Sequence, residues 1–262
     1  MSTSVPITSA TLSTNTYTPP IQSADTLFHF VGKLDYLLDA IEKDALIPRY
    51  CVETVSYLKI PYPEIAYPML CFCDINLHKI KEHMDFYGGY GIAFSKQWGI
   101  AQGIQPIQYI NINSNLTNDF TDAFNAAVNS SYTDKVQDYL LTQMYFLKPI
   151  EGEMRRNGKL EYKNFTDECE WRFIPDAASE KFPSVLTGSG IARKDTLNAG
   201  IRYTDRLWLK YQEDDVKYII IQNKSEFDLV VDKILTKSYL NNYEKNFLIS
   251  KIMIWNDTKG DF

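Results

Sequence analysis

The run VKYIIIQN (216–223) sets three successive isoleucines between polar ends. β-Branched residues in a stretch this short, flanked by turn residues, make a strand buried on both faces. Such a strand needs neighbours in a sheet and cover on either side, and this requirement constrains the rest of the chain. LFHF (27–30), RYCVETVSYL (49–58), AYPMLCFCDI (66–75, with Pro68 at its entry), GGYGIAFSKQWG (88–99) and PIQYINI (106–112) all read as further strands. Between them, GKLDYLLDAIEKDAL places Leu34, Leu37, Leu38 and Ile41 at helical spacing. NLHKIKEHMDFY is a short helix opened by Asn76 or Asp74 as cap, residues 117–146 are mainly helical, and SEFDLVVDKILTK is a capped amphipathic helix. LKPIEGEMRRNGKLEY reads as an exposed turn region, and FLISKIMIWND as helix or strand near the terminus. The pattern predicts an α+β fold around a mixed or antiparallel sheet. With 262 residues, 45% of them hydrophobic, one core is expected.

Residues 1–25, rich in Ser, Thr and Pro, form an expected flexible arm ahead of a single domain over 26–262. The arm has no basic start and no apolar segment, so it is not a secretory signal. No stretch reaches the roughly 18 apolar residues of a spanning helix, so no membrane association is expected. The four cysteines are too few for a disulfide framework and point to a reducing, cytoplasmic setting. A net charge of −6 without a dense Lys/Arg stripe makes nucleic acid an unlikely partner.

The run DECEWRF (167–173), read with a two-residue period, puts Glu168, Glu170 and Arg172 on one strand face and Cys169, Trp171 and Phe173 on the other. The apolar side belongs in a core, and the charged side faces solvent, a cleft or its own members. An ordinary half-buried strand whose glutamates pair with Arg172 and nearby lysines satisfies the pattern as well as a catalytic face does. Cys71, Cys73, His78 and His83 match no closed zinc spacing, because the histidines five apart diverge on a helix, and no metal is expected. GGYGIAF lacks the spacing of a phosphate loop and reads as a tight turn, with Tyr87 and Tyr90 as ring faces nearby. His29 shares a strand face with Leu27, opposite Phe28 and Phe30.

LFHFVGKLDYL, PMLCFCDINLHKIKEHMDFYGGYGIAFSKQWGI, DECEWRF, YIIIQN and LISKIMIWNDTKGDF together resemble the AbiGi family of bacterial abortive-infection proteins, from about residue 27 to 262. The resemblance implies phage defence and an antitoxin role toward a partner toxin. A weaker similarity joins LFHF, YGIAF and ECEW to ADP-ribosyltransferases of the His-Tyr-Glu type. That similarity implies an ADP-ribosyltransferase-like fold with NAD as substrate. In it, Glu170 stabilises an oxocarbenium-like ribose, Glu168 orients an acceptor and His29 holds the ribose. Tyr90 or Phe94 stacks on nicotinamide, and Arg172 or Arg49 meets phosphate.

Overall fold

The computed structural model describes residues 17–129, 134–156 and 159–260. The first sixteen residues of the expected arm lie outside that range. Its last part is tied down, with the Tyr17 hydroxyl donating to Asp25 and Lys96 donating to Ser23.

The longer elements are β1 (Thr26–Val31), α1 (Leu34–Lys43), β2 (Arg49–Thr54), β3 (Glu64–Cys73), α2 (Lys81–Tyr87), β4 (Tyr90–Ser95), α3 (Lys96–Ala101), α4 (Asn115–Asn129) and α5 (Asp134–Tyr145). They continue with β5 (Glu170–Phe173), α6 (Lys194–Ile201), β6 (Val216–Ile221), α7 (Phe227–Leu235), α8 (Asn242–Ile249) and β7 (Ile252–Ile254). The main sheet runs β7-β6-β4-β1-β3-β5, ending on the short strand Gln105–Pro106. Among the described residues, only the β6–β7 pair within it is parallel. The fold is therefore α+β with a mostly antiparallel sheet, as the alternation of elements predicts.

VKYIIIQN sits inside this sheet, because β6 is paired on both edges and covered on both faces. Ile219 and Ile221 face a cluster with Leu37 and Ile41 of α1 and Val230 and Ile234 of α7. Ile220 faces the opposite cluster with Phe28, Met84 and Trp255. The capping expected at SEFDLVVDKILTK lies two residues earlier, where Asn223 and Glu226 form a reciprocal box around the 3₁₀ turn Lys224–Glu226 that leads into α7.

Several local expectations are corrected. Pro68 lies within β3, not at its entry. Its register partner Tyr50 donates its N–H to Asn198 instead of across the pair, at 2.6 Å. Pro68 therefore turns its missing donor to the other edge, between the segments paired with 186–187 and with β5, where no ladder bond is lost. Asn76 takes the N-cap position of the 3₁₀ turn Leu77–Lys79 but makes no side-chain cap bond, and Asp74 does not cap it. The Asn76 amide donates to Gln22 O, and Asp74 pairs with Lys96 at 2.7 Å. GGYGIAFSKQWG is not strand throughout: Ser95 accepts from the Trp98 N–H and starts α3. LKPIEGEMRRNGKLEY is a short strand, Leu147–Pro149, followed by an antiparallel pair, Glu151–Arg156 with Lys159–Asn164. Its charges alternate with uncharged residues along the two paired strands, which resembles a turn when judged by polarity alone. At the glycine-rich turn, Gly88 adopts φ +144°, and a Cβ there would lie 2.3 Å from Val31 O. Only glycine lets this turn pass so close to the end of β1.

Candidate functional site

The site arises from a fork in the sheet. Along one edge of β3, β2 pairs with residues 64–69, whereas β1 meets β3 only at Phe28↔Cys73. Between these pairings the edge is open. His29 bridges it, its Nδ1 lying 2.8 Å from Cys71 O. A carbonyl only accepts, so Nδ1 carries the proton and Nε2 is an acceptor. Burial pushes the imidazole pKa down, against the opposing pull of the Cys71 carbonyl, so the ring is neutral.

Two cavities of about 710 and 520 Å³ flank the opening and share Arg49, Cys71, Tyr87 and Asn198 among their walls. His29 lines the first, and Glu168, Glu170 and Lys148 line the second. The separation follows from register. Glu170 pairs with Cys73, on the face of Phe28, and His29, one residue on, points to the opposite face. The structure thus brings His29 and Glu170 to adjoining cavities but not to a single one.

The charged side of DECEWRF is buried. Glu168, Glu170 and Arg172 are 3%, 6% and 0% exposed. Arg172 holds Glu170 with two donors, Nε at 2.7 Å and Nη2 at 3.2 Å. It also donates to Glu53 (3.1 Å), Tyr67 Oη (2.5 Å) and Tyr145 O (2.6 Å). Lys148 donates to Glu168 at 2.5 Å and Glu170 at 2.9 Å. Lys163 pairs with Glu168 at 3.0 Å, and the Tyr87 hydroxyl also donates to Glu168. Three cations, Lys148, Lys163 and Arg172, thereby answer three carboxylates, Glu53, Glu168 and Glu170. Burial alone would lift the Glu170 pKa, but Arg172 and then Lys148 outweigh it and hold the carboxyl far below the usual range.

The sequence reading of this run is right about pairing and wrong about cover. Residues 165–168 form a short 3₁₀ turn, and Cys169 follows at φ +42°. Cys169 is exposed rather than in the core, and the strand begins at Glu170. Glu168 reaches the same network from the turn. Trp171 and Phe173 pack half-buried against the α1 and α7 cluster.

The remaining predicted residues are scattered. Arg49, at the start of β2, lines both cavities. Tyr90 is half-buried, its hydroxyl donating to Glu226 at 2.8 Å, and it lines neither cavity. Phe94 is 0% exposed and packs on Trp98 and Tyr211, with centroids at 4.4 and 4.9 Å. Its ring belongs to the core, away from the cleft. Arg172 lies behind the second cavity, fully engaged. Sequence reasoning missed Lys148, Lys163, Tyr67 and Glu53, which come from distant segments without a local signal of burial. Among the described residues, no three His, Cys, Asp or Glu side chains converge to hold a metal. No helix there is long and apolar enough to cross a membrane.

No solved structure matches the chain. Residues 44–222 match the sequence profile of a family whose provisional description is abortive phage resistance protein AbiGi, antitoxin. That span contains Arg49, Lys148, Glu168, Glu170 and Arg172, and begins after His29. A relative from Lactococcus lactis subsp. cremoris, named abortive phage resistance protein AbiGi, is 33% identical over 253 aligned residues, covering 83% of this chain and 100% of the relative. A profile match across most of the fold and a relative aligned over its whole length place this chain in the AbiGi family of abortive phage resistance proteins.

Proposed function

We propose that the chain is the antitoxin-like component of a cytoplasmic abortive-infection system and acts by binding a partner toxin. The observation that carries this reading is the family match over residues 44–222, described as an antitoxin. The site is compatible with a binding scaffold, because both Glu170 oxygens are already engaged within the protein. Co-expression with the toxin encoded beside it is expected to relieve growth arrest and to yield a co-purifying complex. Growth arrest unchanged by the chain, with no complex recovered, refutes the reading.

A second reading rests on a different observation: His29, Arg49, Glu168 and Glu170 line adjoining cavities. On it, NAD is the substrate of an ADP-ribosyltransferase-like effector, with Glu170 facing the oxocarbenium-like ribose and Glu168 the acceptor. Nicotinamide release by the wild type would then fall about 100- to 1000-fold in Glu170→Gln, with the melting temperature as folding control. Absence of release from the wild type, or equal release from the variant, removes NAD cleavage from consideration.

A further inference from the structure

The α4–α5 hairpin differs from the rest of the chain in its charge. Between Lys96 and Lys148 the sequence has one Lys or Arg, Lys135, against four carboxylates, Asp119, Asp122, Asp134 and Asp138. Asp119, Asp122 and Asp138 are exposed and have no ion-pair partner among the described residues.

The fold uses only part of the hairpin's apolar surface. Phe120 and Phe124 of α4 and Leu141 and Met144 of α5 pack into one cluster with Ile110 and Leu147. Gln137 donates to Ala127 O at 2.9 Å, so Val128 and Val136 flank the contact between the helices. Leu116, Val128 and Tyr139 are left outside, 51%, 59% and 60% exposed, and Val136 is exposed as well. On α4, Leu116, Asp119 and Asp122 are successive i,i+3 neighbours, and on α5 Val136 and Tyr139 are.

Exposed apolar groups among polar ones mark contact surfaces, and tyrosine is enriched among the residues that dominate them. The charge then selects the occupant. Nucleic acid and anionic membranes are repelled, and two copies joined through this face would set carboxylates against carboxylates. A basic helical segment with an apolar stripe is attracted, and it covers the apolar row while its cations answer the carboxylates.

We propose that the outer face of the α4–α5 hairpin is where the chain holds its partner toxin, and that the toxin meets it with a basic amphipathic segment. This inference rests on the toxin-binding reading and gives it a surface, apart from the buried Glu170 network.

Titration of the full chain into the purified product of the neighbouring gene tests it. Wild-type affinity is expected to fall as salt is raised. Asp119→Lys with Asp122→Lys, and separately Tyr139→Ser, should each weaken binding at least about tenfold. Asp228→Lys with Asp232→Lys, on the exposed side of α7, should leave it unchanged, and melting temperatures check folding throughout. Wild-type binding that both hairpin variants retain overturns the proposal and leaves the toxin-binding reading standing. A loss as large in the α7 variant overturns it too, as does a dimer of the chain alone that the hairpin variants dissolve in sedimentation. No binding by the wild type removes the toxin-binding reading itself, and the proposal with it.

Discussion

Arg172→Ala is expected to lower the free energy of unfolding by about 3–5 kcal/mol, because it leaves buried carboxylates without their principal partner. The guanidinium is 0% exposed and engages Glu170, Glu53, Tyr67 and the Tyr145 carbonyl together. Urea unfolding measures the loss. The paired change Arg172→Met with Glu170→Leu should recover most of it, because apolar residues of similar volume often replace a buried ion pair without penalty. A loss below about 1 kcal/mol in Arg172→Ala would mean that the network behaves as a solvated surface pair. The same geometry sets the direction of acid sensitivity. Glu170 is held below its unfolded pKa, so its stabilisation is fully present above roughly pH 4.3, the ordinary Glu value, and is lost as pH falls below that toward the folded pKa.

Phe94→Ala should cost about 3–5 kcal/mol as well, for an unrelated reason. The ring fills the core between Trp98, Tyr211 and Phe72, and its removal leaves a cavity that these large neighbours cannot collapse to fill. Phe94→Leu, nearer in volume, should cost clearly less, because part of the void stays filled. Guanidinium or urea melts of the two variants check the ranking. A stable, well-folded Phe94→Ala chain would place the ring outside the core.

What was legible in the sequence was local. The isoleucines of VKYIIIQN, the alternation of Phe28, His29 and Phe30, and the helical spacing of Leu34, Leu37 and Ile41 carry their partners' direction within a few residues. The charged face of DECEWRF shows the limit of that information. Alternation states that Glu170 and Arg172 share a side, but whether that side meets water depends on Lys148, 22 residues from Glu170, and on Glu53, 119 residues from Arg172. Lys148 reads as part of an exposed turn because its charge is visible in the sequence and its burial is not. Pro68 reads as a strand-entry residue for a related reason. A proline inside a strand is tolerated only where its edge lacks a ladder partner, and that gap is created by the separate arrival of residues 186–187 and of β5. The fork that opens the cleft, where β1 and β2 share one edge of β3, is likewise a property of pairing and not of any one segment.

The most direct test of the toxin-binding reading is titration of the purified chain into the purified product of the neighbouring gene, followed by that product's toxic activity in the same mixture. Saturable association that removes toxin activity in proportion to occupancy is the expected result. No measurable association, or association that leaves the toxin fully active, would contradict it.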